Sequence, residues 1–340
     1  MNPIRAFARL PRATRIWIQT GIVLALGVAL AAIPIVAPEE FNLQRLAFFV
    51  LWYAILASAW NIVGGYAGQI SFGHSAFLGM GAYTTGIFWY TLGWDPLLTL
   101  PIAGLVAAAY SVLVGAPTLR LRGPYFAIAT IGVGEATRLL AVNFDDVFGV
   151  ELTHGVTGLS LPAYDPVLVH YATVGLFVVT MLTTIGIRAG RFGLGLFAIN
   201  MDRDAAETVG VPTARLQIIA LAVSAFFAGM AGTLYAARQE FLDPSTMFSF
   251  SISIALVLMP VVGGVGTVWG PVFGALLYAY VQDQITSLVN NPYVPSLLYG
   301  LILVAIVLFE PLGVAGVIDR VSGRARRLLR GGAAGGDVVA

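Results

Sequence analysis

The chain contains no cysteine and no lysine. Without cysteine there is no disulfide, no thiolate nucleophile and no cysteine metal site. Without lysine there is no P-loop ammonium to hold a phosphate and no Schiff-base amine. All 18 basic residues are therefore arginines. Charge of either sign is scarce. Only 10% of the 340 residues are charged, against roughly 25% in a soluble domain. That is too few to coat a water-soluble protein of this length. The formal net charge of +1 supplies no long-range field for nucleic acid. What is abundant is apolar: 58% of the residues are hydrophobic.

The apolar residues fall into long runs. Residues 16–37 form an uncharged stretch of 22. At ~1.5 Å per residue it crosses a hydrocarbon core of ~30 Å. A basic segment with Arg5, Arg9, Arg12 and Arg15 precedes it. A signal peptide starts the same way, but its apolar region is only about 7–15 residues, so a retained span is expected. Further runs follow at 46–63, 76–93, 97–118, 124–142, 167–187, 216–237, 250–265, 268–281 and 294–309. The expected fold is all-α and polytopic, with about ten transmembrane helices, some of them interrupted.

The arginines orient these spans. With the N-terminus in the cytoplasm and the spans alternating, the inside segments hold Arg5, Arg9, Arg12 and Arg15, then Arg120 and Arg122. They continue with Arg188, Arg191, Arg203 and Arg215, then Arg320, Arg324, Arg326, Arg327 and Arg330. Arg45 and Arg238 fall outside, and Arg138 lies within a span. The organisation read this way is a cytoplasmic segment 1–15, a membrane domain 16–312 containing a cytoplasmic loop 188–215, and a low-complexity tail 313–340.

Two stretches break the membrane rules. NIVGGYAGQISFGHSAFLGMGAY, starting at Asn61, is rich in glycine and carries Gln69, Ser71 and His74. Its first glycines are Gly64, Gly65 and Gly68. VVGGVGTVWGPVFGA, starting at Val261, contains Gly263, Gly264 and Gly266. Irregular backbone cannot face lipid, so such segments must be buried in protein or line a wet cavity. Paired breaks in two halves suggest a transport route on interrupted helices. Close packing through small residues is the competing reading. Asn61, Gln69, Ser71 and His74 are the pathway or gate candidates of the first break. Glu135 and Arg138, three apart on one helical face, are the candidates in the fifth span, because intramembrane charges usually face a protein interior or cavity. A self-compensating structural pair is the alternative. No carboxylate pair or His cluster has hydrolytic or metal-site spacing, so no catalytic residue and no metal is expected.

The loop RAGRFGLGLFAINMDRDAAETVGVPTARL, starting at Arg188, holds a compact helix signal. Asp204 is placed as N-cap with Glu207 completing a capping box. Ala205 and Ala206 propagate the helix, Gly210 ends it and Pro212 prevents its continuation. Phe192, Leu196 and Phe197 are expected to rest on the membrane body. A helix this short is marginal alone, so something should pack on it.

Here the residues resemble a known family. Asp204-Ala205-Ala206 followed by Gly210 resembles the EAA loop of ABC importer permeases. Arg191 within GRFG, Ala198-Ile199, SAFFAGMAGTLYA from Ser224, GQISFGH from Gly68, GPYFAIATIGVGE from Gly123 and GGVGTVWGP from Gly263 are similar to the branched-chain amino acid permeases of the LivM type. The resemblance covers roughly residues 47–313. It implies an importer subunit paired with a second, homologous permease, two cytoplasmic ATPases and an extracytoplasmic solute-binding protein. Residues Arg191 and Asp204–Gly210 would couple to the ATPases, which would bind the ATP and Mg; the chain itself needs no cofactor. Two positions depart from the pattern: Asp204 replaces the usual Glu, and Asn200-Met201 stands where a basic residue is common. The implied location is the bacterial inner membrane, with both termini cytoplasmic. The rival reading is an ion-coupled secondary transporter of small polar solutes working alone.

Overall fold

The computed structural model describes residues 11–145 and 157–288, with 297, 300 and 301. The tenth apolar run, the tail 313–340 and the first ten residues lie outside, or almost wholly outside, the described set. Among the described residues, eleven helices of six residues or more carry the architecture: α1 Arg12–Ala31, α2 Phe41–Asn61, α3 His74–Leu92, α4 Pro96–Thr118, α5 Pro124–Val142, α6 Pro166–Ala189, α7 Arg191–Met201, α8 Arg203–Thr208, α9 Thr213–Gln239, α10 Phe250–Gly263 and α11 Gly270–Leu288. One two-stranded antiparallel strip pairs β1 Leu159–Ser160 with β2 Phe241–Leu242.

Local chemistry starts and stops these helices. α4 and α6 use the same device: an N-cap aspartate followed by proline. Asp95 accepts from Leu97 N and Asp165 from Val167 N, each at 2.8 Å. Proline is favoured at that first position because its missing N–H would be unpaired anyway. α3 ends at Gly93 with φ 64°, in the left-handed region that favours glycine.

α9 is the axis of the bundle. A Cβ on Gly81 of α3 would sit 2.1 Å from Gly229 O of α9, and one on Gly232 would sit 2.3 Å from Leu78 O. On its other side, a Cβ on Gly229 would lie 2.7 Å from Ala103 O of α4. Three helices thus meet backbone to backbone through small residues, the close approach on which membrane helices rely. The SAFFAGMAG stretch is the α9 half of that contact. Trp52 of α2 donates to Ala231 O of α9 at 2.8 Å. Its neighbour Trp60 is also fully buried.

The long-range pairs fix the directions. His74 and Thr85 of α3 meet Ser224 and Thr233 of α9, so these helices run parallel. Trp52 meets Ala231 while Ala59 meets Ser224, so α2 runs against α9. Arg45 meets Asp283 and Asn61 meets Thr267, so α11 runs against α2. Adjacent spans therefore alternate, as the arginine pattern requires. Arg120, Arg122, Arg188, Arg191, Arg203 and Arg215 gather at one end. Asp95, Asp165, Glu240 and the β1–β2 strip occupy the other.

Seven helical segments among the described residues are long and apolar enough to cross a membrane. They match seven of the ten expected runs. α3 and α11 have 19 residues each but fall short of that apolarity. For α3 the reason is visible: most of its side chains are buried against other helices, so it has little lipid to satisfy. The stretch after Asn61 lies between two spans, where the apolar runs place it. A π-helical turn, Ile62–Tyr66, ends α2 and the chain returns as α3. Likewise 264–269 joins α10 to the returning α11. The glycines Gly64–Gly68 and the turn 264–269 lie toward the arginine-rich end, whereas 69–73 climbs back into the bundle, so that α3 begins with His74 beside Ser224, well inside α9.

Candidate functional site

The site residues form three groups, two at the arginine-rich end and the third deeper in the bundle. The first is the α7–α8 elbow. The N-cap of α8 is Asp202, whose extended backbone lets its carboxylate accept from Asp204 N at 2.9 Å and Ala205 N at 3.0 Å. Asp204 was expected to be the cap and is not. It lies inside the first turn, where its own backbone is helical, and it reaches out to Arg122 at 2.9 Å. That bond, between α8 and the turn joining α4 to α5, holds the Asp204 carboxyl below its usual range and raises Arg122. Glu207 accepts from Thr213 Oγ1 and, at 3.2 Å, from Arg203 Nε; both lower its pKa. Both carboxylates stay ionised at neutral pH, and these bonds fade only as pH falls through the depressed values.

The end of α8 is as expected. Gly210 has φ 86°. Gly210 N donates to Glu207 O and Val211 N to Ala206 O, each at 3.0 Å. These two bonds form the Schellman arrangement that closes a helix on a left-handed residue. Ala206, Leu196 and Ile199 are buried beneath the elbow, and Phe197 packs on Tyr66 with ring centroids 5.2 Å apart. Above it Asp204, Ala205 and Glu207 are exposed, as is Arg191 at the start of α7. Met201 and Val209 are 89% and 79% exposed. The elbow thus presents a small acidic helix with two bare apolar side chains at its rims.

The second group joins the two glycine turns. The Asn61 side chain accepts from Gly266 N and donates to Thr267 O, both at 2.9 Å. Asn200, at the end of α7, donates to Gly65 O at 3.1 Å. The glycines are here because the atoms touch. A Cβ on Gly65 would fall 1.9 Å from Asn61 Oδ1, and one on Gly64 would fall 2.2 Å from the Trp60 ring. Gly68, Gly264 and Gly266 also have positive φ, and Gly263 packs directly against Gly270.

The third group is the segment 69–74 with α5. His74 and Ser71 are fully buried. The Ser224 hydroxyl donates to Ala59 O at 2.6 Å, so it accepts from His74 Nε2–H at 2.8 Å. His74 Nδ1 is then the acceptor for the Ser71 hydroxyl at 3.1 Å. The imidazole is fully used as a neutral clamp among α2, α3 and α9. That places His74 and Ser71 in the packed core rather than on a cavity surface. Gln69 is half-buried, while Gly68 and Ile70 are exposed. Phe72 N donates to Thr130 Oγ1 at 3.0 Å, which docks the segment on α5. α5 buries only Phe126, Thr130, Gly134 and Thr137. Glu135 and Arg138 pair at 2.6 Å on its uncovered side, with side chains 51% and 28% exposed.

Several partners carry no local signal in the sequence. Arg122, Thr130 and Ser224 act across fold-level contacts, while Asp202 and Thr213 act locally, through the backbone conformation around α8. Asn200 stands out in the sequence only as a departure from the resembled pattern.

Comparison with known proteins follows the same lines. A family model described as the permease component of the branched-chain amino acid transport system matches residues 42–307. The LivM permease protein of the high-affinity branched-chain amino acid transport system of Escherichia coli K12 is 33% identical over 297 residues, covering 79% of this chain and 69% of the relative. The BraD permease protein of Pseudomonas aeruginosa is 24% identical, covering 78% and 91%. The L-arabinose ABC transporter permease protein AraH of Azospirillum brasilense is 30% identical over 52% of this chain and 49% of its own length. No solved structure matches. The motif resemblance and the family match over residues 42–307 agree, and the chain belongs to the family of branched-chain amino acid transport system permease components.

Proposed function

We propose that this chain is one of two membrane subunits of an ATP-driven importer, and forms half of the route for branched-chain or related amino acids. The observation that carries this is the family match over 42–307 together with relatives aligned over 79% and 78% of this chain. α8 is the coupling helix: a short, capped, exposed acidic helix whose apolar rims await a cytoplasmic ATPase. The uncovered face of α5 meets the second permease. Glu135 lies about 17 Å along a 19-residue helix at ~1.5 Å per residue, well inside the bilayer. Lipid cannot solvate its ion pair with Arg138, whereas a partner subunit or a wet seam can. Gly68, Gln69 and Ile70 border the inner mouth of that seam. The chain performs no chemistry itself. ATP and Mg are bound by the partner ATPases, and an extracytoplasmic binding protein delivers the solute.

Alternating access needs only weak, state-dependent contacts in the permease, so most selectivity resides in the binding protein. An ion-coupled mechanism has no specific feature in its favour, because His74 and Ser71 of the first break are spent on a buried clamp.

The test is purification of the detergent-extracted complex from its native membrane. The expected result is co-purification of a second permease and ATPase subunits, and ATP-dependent leucine uptake after reconstitution with the binding protein. A chain that purifies alone and transports on an ion gradient would overturn the reading.

Orientation gives a separate prediction. The arginine-rich end and both termini face the cytoplasm, in a bacterial inner membrane. The chain has no native cysteine, so an Asp204→Cys variant carries one label site. An impermeant thiol reagent is expected to miss it in intact cells and to label it in inside-out vesicles; labelling from outside inverts the topology.

A further inference from the structure

We infer that Asn200 and Asn61 are positioning residues of transport: two side-chain amides that carry movement of the coupling elbow into both glycine turns. The inference rests on the importer reading above, in which α8 receives the ATP-driven stroke.

The connection is continuous and short. Asn200 is the penultimate residue of α7, two positions before the Asp202 cap of α8. Any displacement of α8 therefore moves Asn200 directly. Its amide donates to Gly65 O at 3.1 Å. Gly65 lies in the π-helical turn, at a helix end whose last carbonyls lack intrahelical partners. Single π turns inside or at the end of α-helices often mark functional positions. From this turn the second amide continues. Asn61 uses both functions of its side chain on the facing turn, accepting from Gly266 N and donating to Thr267 O at 2.9 Å each. Three hydrogen bonds thus tie α7, the α2–α3 turn and the α10–α11 turn into one chain. Sequence separations of 135 to 206 residues show that this is tertiary design and not local capping.

There is no slack in the joint. A Cβ on Gly68 would lie 2.3 Å from Asn200 Oδ1, and one on Gly65 would lie 1.9 Å from Asn61 Oδ1 and 2.8 Å from Gly266 N. Asn61 and Gly65 are buried and this closely packed, so they transmit displacement instead of absorbing it, and Asn200 meets Gly68 at the exposed edge of the joint. The turns, by contrast, can bend: Gly68, Gly264 and Gly266 occupy positive φ, where glycine alone moves freely. Stiff amide links between flexible glycine turns make a hinge driven from the elbow. α3 and α11 leave those turns, so both helices would tilt together.

The experiment uses the complete complex with its ATPases and binding protein in nanodiscs and proteoliposomes. The first readout is hydrogen exchange of segments 61–68 and 263–268 in wild type, with and without trapped nucleotide. Both segments are expected to change protection together. The second is radiolabelled leucine taken up per ATP hydrolysed in Asn200→Ala and Asn200→Asp. The acid has the shape of asparagine but no N–H, so it separates donation from packing. Both variants should assemble and hydrolyse ATP near the wild-type rate. Uptake per ATP should fall at least about fivefold, the lower range of measured coupling between sites, and the nucleotide response of 263–268 should disappear. A purely structural asparagine would lower yield without changing the uptake-to-ATP ratio. An unchanged ratio in both variants overturns the inference, as does a wild type whose two turns respond independently or not at all. That second result does not depend on either variant folding. A wild-type complex with no ATP-driven uptake would instead overturn the importer reading beneath it.

Discussion

A Gly210→Val permease is expected to insert and fold normally yet lose most ATP-driven uptake. Gly210 has φ 86°, and nothing stands within 4 Å of where its Cβ would be. The penalty is therefore conformational, with no clash involved. Left-handed backbone costs an L-residue roughly 1–2 kcal/mol, and a β-branched side chain sits at the upper end. If the residue relaxes to negative φ, the bonds from Gly210 N to Glu207 O and from Val211 N to Ala206 O are lost together. α8 has six residues and little stability of its own. A cost of that size shifts its population roughly 5- to 30-fold. No membrane span contacts the position, so expression and detergent stability should match wild type. The measurement is ATPase co-purification and leucine uptake at equal permease levels. Glu207→Arg should act in the same direction by a different route, since it removes the acceptor shared by Thr213 and Arg203. Full association and full uptake in both variants would mean that the elbow is a passive loop.

Gly81→Val is expected to do the opposite: it should destroy the membrane body itself. Its Cβ would stand 2.1 Å from Gly229 O and 2.4 Å from Gly229 Cα. Those are backbone atoms of the central helix and cannot rotate aside. Overpacking typically costs about 1–3 kcal/mol, and more where nothing can relax. α3 would have to retreat from α9. That would stretch the Thr85–Thr233 and His74–Ser224 hydrogen bonds, now 2.7 and 2.8 Å, and leave buried hydroxyls unpaired at about 1–3 kcal/mol each. The expected result is a large fall in the monodisperse fraction and in the thermal transition in detergent. Gly175→Val at an exposed position of α6, where a Cβ meets nothing within 4 Å, is the matched control and should be nearly neutral. A Gly81→Val protein that melts like wild type would show that α3 and α9 do not pack as described.

Much of the molecule was legible in the residues, for reasons that can be named. Runs of 19 or more apolar residues must lie in a bilayer or a deep core. Alternation of arginine-rich and arginine-poor connections predicted the alternating directions that the helix pairs display. The helix stop at Gly210 and Pro212 was readable because a Schellman ending depends on residues within one turn of each other. The start of the same helix was misplaced by two residues. Asp202 and Asp204 have the same side chain, and only the backbone decides which one caps; Asp202 is extended at φ −161° and ψ 114°, Asp204 helical. The glycine segments are legible as irregular backbone between the apolar runs 46–63 and 76–93 and between 250–265 and 268–281. What lies opposite each of them is not, since that information is 200 residues away in the chain.

The sequence by itself therefore determined an all-helical chain with membrane-length segments of alternating direction and one short exposed helix. Each follows from transfer free energy or capping among near neighbours. Tertiary structure alone decided which polar residues are free to act. His74 and Ser71, conspicuous in an apolar chain, are spent on a buried clamp with Ser224, while Glu135 and Arg138 are left on an uncovered face. Asn61 and Asn200, unremarkable in any local window, are brought by packing onto the backbone of both turns. Burial and partnership are pairwise properties of residues distant in sequence, and they exist only once the helices have chosen their neighbours.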